Sequence, residues 1–262
     1  GTDPTAFAVS DGTSGVLDIT PFLNNGTDTE PGTDGFQGDL SDLTVTALRS
    51  QTSGGRISEA VGLATSGGTV DVLAGTYDDE VNVTKPLTLN GPYASTNFDG
   101  LSSDRGNEAI VQPPPGFTAA FHIGASDVTV DGFLMDGQEQ AFYGINNFDT
   151  AQGRFETITN FSIQNNIVKD AAAYGIFICN GTEQLGVNRC GSSTQQGLTT
   201  GGVVSNNRFE NIDGTTTTNG DGFNFDFAGR AISMETDGII ETITDNVIVT
   251  TPAAAVADQS QY

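Results

Sequence analysis

The stretch SIQNNIVKDAAAYGIFI, residues 162–178, sets two adjacent asparagines between apolar positions and begins a second apolar strand twelve residues on, at Tyr174. The arrangement recurs. With the apolar residue two places ahead of the Asn pair as anchor, it gives Ile163 in IQNNIV, Val204 in VSNNRF and Ile243 in ITDNVI. Val130 in VDGFLM and Leu89 in LNGPYA fall in the same frame. The intervals between the five anchors are 41, 33, 41 and 39 residues. Self-similarity on this scale marks solenoids, propellers and arrays, so the chain reads as a stack of repeats.

The columns of the repeat say what is stacked. Leu87, Val128, Phe161 and Gly202 stand two before the anchor, and Met135, Val168, Phe209 and Ile248 stand five after it. Alternate apolar positions across LTL, VTV and FSI fit strands with one buried face. The position between them is Thr88, Thr129, Ser162, Val203 and Thr242, a mostly hydroxylic column that faces outward. Helical spacing is missing, so a strand-based solenoid is expected. With rungs about 4.8 Å apart, Asn165, Asn206 and Asp245 lie above one another, as do Asn166, Asn207 and Asn246. Side-chain amides carry both donors and acceptors, so stacked ones can satisfy each other from rung to rung. Asn also tolerates the left-handed backbone of a tight bend. The alternative is a set of Asn-rich turns without a ladder.

The organisation read from the 262 residues is a non-repeating N-terminal β segment or arm over 1–50 and the stack over 51–262. Ile57, Ala60, Val61 and Ala64 are spaced for one short amphipathic helix at the start of the stack. Acidic residues number 33 against 9 basic ones, a net charge of -24. Such a surface repels phosphate, which excludes nucleic acid and anionic membrane surfaces as partners. Adaptation to high salt would produce the same acidity. No membrane span or signal peptide is visible in the sequence.

Cys179 and Cys190, the only cysteines, close a short polar loop and read as a disulfide, with two free thiols as the alternative. A disulfide places the chain in an oxidising, extracellular setting. Asn-x-Ser/Thr sequons begin at Asn25, Asn82, Asn160 and Asn180.

The segment SGGTVDVLAGTYDDEVNVTKPLTLNGPYA, residues 66–94, follows the helix. Helix, GGTVDVLAGTYDDEV and KPLTLNG together resemble the opening of secreted right-handed parallel β-helix proteins of the pectin-lyase-like superfamily. The later IQNNIV and YGIFI motifs are similar to those of the same group. The resemblance implies an all-β, right-handed parallel β-helix whose entry helix covers one end, in a protein that is secreted or held at the cell surface. It specifies a fold far better than a function.

Enzymes of that superfamily act on acidic polysaccharides, so their signatures are sought. NGDGFNFD, Asn219–Asp226, is similar to the Asn-x-Asp-Gly stretch of polygalacturonase-like glycosidases. The adjacent Asp pair, Gly-His-Gly and Arg-x-Lys that accompany it there do not follow it in this sequence. The one histidine, His122, sits at an alternating apolar position in AAFHIGA and reads as a core or rim residue. Asp131, Asp136, Arg208 and Arg230 are isolated candidates for esterase or lyase chemistry. Asp213, Asn219, Asp221 and Asp226 offer oxygen ligands around a Gly-rich loop, and calcium is the cation such a set would take.

The reading is an extracellular structural or adhesive β-helix, a sheath, filament, appendage or surface-layer subunit that associates with itself or with other surface proteins. The alternative is a carbohydrate-active enzyme or glycan-binding module with a polysaccharide partner. Val256 follows Ile243 at the same thirteen-residue distance that separates Ile176 from Ile163, so another strand begins there. An uncovered β-helix end exposes unpaired main-chain groups and invites a further strand.

Overall fold

A computed structural model of the protein describes residues 9–10, 16–17, 42–45, 56–96, 105–149, 154–179, 201–212, 216–218, 224–226, 229–235, 242–249 and 256–258. Three parallel sheets dominate it. The first stacks Asp42–Val45, Thr69–Val72, Leu87–Asn90, Val128–Asp131, Ser162–Gln164, Val203–Ser205 and Thr242–Thr244. The second stacks Gly75–Tyr77, Ala109–Val111, Leu134–Asp136, Ile167–Lys169, Arg208–Glu210 and Val247–Val249. The third stacks Val81–Val83, Gly116–Ile123, Ala141–Asn146, Tyr174–Cys179, Arg230–Glu235 and Val256–Asp258. The chain visits the sheets in rotation, one strand of each per coil, which makes a parallel β-helix.

The register joins the repeat anchors directly. Leu89 lies on Val130, Val130 on Ile163, Ile163 on Val204 and Val204 on Ile243. Two further residues extend the column below them, Val70 under Leu89 and Leu43 under Val70. Asp42–Val45 lies inside the segment read as non-repeating, so stacked strands are already present ahead of residue 50. It escapes the repeat because no Asn pair directly follows it in the sequence, and the helix stands between it and the next strand.

Each coil up to that of Val204 buries the anchor together with inward residues of the other two sheets. In the second sheet these are Tyr77, Val111, Met135, Val168 and Phe209, and in the third Val81, Phe121, Ile145, Ile176 and Ile232. The helix Arg56–Leu63 closes the N-terminal end, burying Ile57, Ala60, Val61 and Ala64 against the first strands. Its first-turn donors are not left open. Asp79 accepts from Ser58 N at 2.9 Å and from Ser58 Oγ at 2.7 Å. At the other end Lys85 Nζ donates to the Gly62 carbonyl, where a cation also suits the helix dipole.

The outer face of the third sheet carries a second apolar layer. Tyr143 and Tyr174 stack 5.7 Å apart, and Phe177 packs on both. The antiparallel pair Phe148–Asp149 and Arg154–Phe155 folds back so that Phe155 meets Phe177 edge-on.

Candidate functional site

The corner between the first and second sheets is built by the Asn pairs. Asn165, Asn206 and Asp245 take left-handed φ values of 55°, 58° and 55°, which turn the chain within two residues. Gly132 holds the same place one coil earlier with φ 82°, and a Cβ there would stand 2.1 Å from Ala94 N.

Side chains of the second column point inward and bond along the stack. Oδ1 of Asn166 accepts from Phe133 N at 2.9 Å. Oδ1 of Asn207 accepts from Asn166 N at 3.0 Å and from Asn166 Nδ2 at 3.1 Å. Oδ1 of Asn246 accepts from Asn207 N and Nδ2, both at 3.0 Å. Each Nδ2 also donates back to a carbonyl of the coil below: Val130 for Asn166, Ile163 for Asn207 and Val204 for Asn246. In the outer column Asn206 Nδ2 donates to Asn165 Oδ1 at 2.5 Å, and Asn165 Nδ2 donates to Asp131 Oδ1 at 2.7 Å.

This pattern runs to Asn246 and stops. Among the described residues no group accepts from Asn246 N, the service that Asn246 Oδ1 performs for Asn207. Among the described residues, the edge strands Thr242–Thr244, Val247–Val249 and Val256–Asp258 each have a sheet partner on one side only. Ile243 is 42% exposed, whereas Leu89, Val130, Ile163 and Val204 beneath it are at 0%. Val247, Ile248 and Val249 are also only half-buried. Among the described residues this coil thus presents apolar side chains, three parallel strand edges and a ladder donor without an acceptor.

The other sequence candidates are dispersed. Asp131 ends a first-sheet strand and is buried, accepting from Asn165 Nδ2 and from Ser95 N at 3.0 Å. Burial raises its carboxyl above the ordinary value, against the lowering effect of those bonds and of Arg105. Asp136 stands on the second sheet and pairs with Lys169 Nζ at 3.1 Å. Arg208, also on the second sheet, pairs with Glu210, and Arg230 on the third donates to Ser233 Oγ at 3.2 Å. The structure does not gather Asp131, Arg208 and Arg230, which belong to three different sheets. Asp213, Asn219 and Asp221 lie outside the described residues, as does the side chain of Asp226. Among the described residues no three His, Cys, Asp or Glu side chains form a metal-holding group. Cys179 is buried at the end of its strand, and Cys190 lies outside the described residues.

His122 is fully buried on the outward side of the third sheet, beneath the added layer. Its Nε2 is 2.6 Å from Glu80 Oε1 and its Nδ1 is 2.6 Å from Asn146 Oδ1. Asn146 Oδ1 also accepts from Phe148 N at 3.1 Å. Both ring nitrogens are therefore engaged in holding strands and hairpin together.

Two features are not legible as sites in the sequence. Arg105 reaches from the loop after Tyr93 into the corner, donating to Asn165 O at 2.7 Å and Phe133 O at 3.2 Å. It grips Glu108 through two nitrogens at 2.7 and 2.9 Å. Its guanidinium lies 4.2 Å from the centre of the Tyr93 ring. Asn147 bonds the main chain of Cys179 one coil on, accepting from its N–H at 2.8 Å and donating to its carbonyl. The spacing of Arg105 and Glu108 is the only hint of the first, and the second Asn of INNF the only hint of the other.

Residues 50–259 match the family described as Protein of unknown function (DUF1565). The chain belongs to that family. No curated protein and no solved structure matches it. The matched residues of this DUF1565 chain take in the helix and all six coils that follow it. No helix among the described residues is long and apolar enough to cross a membrane.

Proposed function

We propose that this chain is an extracellular structural or adhesive β-helix, a subunit of a sheath, filament, appendage or surface layer, and that its last coil is completed by a strand of another chain. The observation that carries the reading is the coil of Thr242–Thr244 and Val247–Val249, where Ile243 is exposed and Asn246 N lacks an acceptor among the described residues. Strand edges of this kind pair readily with further strands. The spread of Asp131, Arg208 and Arg230 over three sheets favours this reading over a carbohydrate-active enzyme. The test is the mass of the full chain in solution by light scattering across a concentration series. A mass that rises above the monomer with concentration is expected, and a monomer at every concentration removes the assembly reading.

A further inference from the structure

We infer that Asn160 is a modification site whose side-chain amide carries an N-linked oligosaccharide; this rests on the extracellular reading above. Of the four sequons, those at Asn25 and Asn180 lie outside the described residues, and the structure separates the other two. Asn82 sits in the strand Val81–Val83 between two side chains at 0% exposure, and its Oδ1 is shut off from solvent. Its register partner is His122, beneath the outer layer of the third sheet. Asn82 is half-buried within a paired strand, so a sugar there would have to fit against the outer layer of the third sheet.

Asn160 occupies the corner that leads into the first sheet, and it is exposed. The pairing of Thr129, Ser162 and Val203 puts Asp127, Asn160 and Gly201 in one column two residues earlier. All three are left-handed, with φ of 57°, 53° and 71°. Asn160 Nδ2 gives one of its hydrogens to Asp127 Oδ1 at 3.2 Å, so the other is available for substitution. The coil above contributes no side chain at this point, because its residue is Gly201. A Cβ on Gly201 would stand 2.5 Å from Asn160 Oδ1 and crowd the amide.

The remainder of the sequon fixes the order of events. Phe161 is 1% exposed and Ser162 lies within a strand, so a transferase cannot take up the tripeptide once this coil has closed. Transfer therefore precedes closure. The Nδ2–C1 bond forms as the bond from C1 to a lipid-linked diphosphate breaks, and the lipid diphosphate departs while a base takes the amide proton. The remaining N–H keeps its donor role toward Asp127, and the sugar stays outside as Phe161 packs inward.

Chain recovered from outside the cells of its source, digested and analysed by mass spectrometry, is expected to carry a sugar mass on the Asn160 peptide and none on the Asn82 peptide. Ser162→Val should abolish that mass with the fold retained, since Val203 already occupies the equivalent place in the next coil. Ser162→Thr should keep it. An exported chain whose Asn160 peptide is wholly bare overturns the glycan alone. A chain found only inside the cell overturns the extracellular reading and the glycan with it.

Discussion

Asn207 donates from its main-chain and its side-chain nitrogen to a single oxygen, Oδ1 of Asn246, at 3.0 Å in each case. That one oxygen closes two donors that the bend would otherwise leave buried. The neighbouring column contributes differently: Asn206 supplies a left-handed φ and donates a side-chain bond to Asn165. Asn207→Ala therefore strips Asn166 N and Nδ2 of their acceptor and should lower stability by at least about 1–3 kcal/mol, the cost of a buried group left unpaired. Asn206→Gly keeps the backbone that Gly132 already adopts in this column and should cost no more than about 1.5 kcal/mol. Chemical denaturation of the two variants is the measurement, and equal midpoints would refute the division of roles.

Phe161 and Gly202 form a second interlocked pair. A Cβ on Gly202 would lie 2.3 Å from Phe161 Cζ, so the ring of one coil fills the space that the next coil leaves empty. Gly202→Ala should destabilise by about 1–3 kcal/mol through overpacking. Phe161→Leu in the same chain should recover part of that loss. A double-mutant cycle in which the two effects simply add would show that the contact does not couple them.

Much of the fold was legible because the stack repeats one geometric problem. Three successive corners set a left-handed residue before an inward amide, and each strand needs an inward apolar residue, so Asn165, Asn166 and Ile163 recur as a written pattern. Coils that solve the corner differently gave a weaker pattern: Val130 and Leu89 fell in the frame without an Asn pair, and the coil beginning at Thr69, which turns through Leu73 and Ala74, did not. His122 shows the complementary limit. Its alternating position marks burial correctly, yet its partners Glu80 and Asn146 stand 42 and 24 residues away and meet it only through the coil register. Candidates such as Asp131 and Arg230 could be named from sequence, but the sheet each belongs to depends on lengths of loops that carry no periodicity.

Asp79 supplies a pH signature. Burial raises its carboxyl above the ordinary 3.8, outweighing the hydrogen bonds from Ser58 that act to lower it. A folded-state value above the unfolded one means that the protonated form favours the fold. This contribution is fully present below the unfolded value and is lost as pH rises through the folded one. Asp79→Asn lacks the titration altogether. The stability of the wild type relative to that variant should therefore fall from acid to neutral pH, read from urea unfolding at a series of pH values. A difference that rises with pH, or stays flat, would contradict the assignment.

The same substitution made at two levels of one column distinguishes an interior rung from an open end. Val204 and Ile243 are register partners, the first fully buried and the second 42% exposed. Val204→Lys places an ammonium in the core between two coils, where no acceptor awaits it, and should abolish cooperative folding. Ile243→Lys can carry its charge into water from an already exposed position, so the monomer should keep its stability to within about 1 kcal/mol. Any strand laid on that rung would have to bury the same ammonium, and an inward-pointing charge is an effective block to edge pairing. Ile243→Lys should thus remove the concentration-dependent rise in mass while leaving circular dichroism and unfolding unchanged. If the variant associates as the wild type does, the last coil is not where the chains meet.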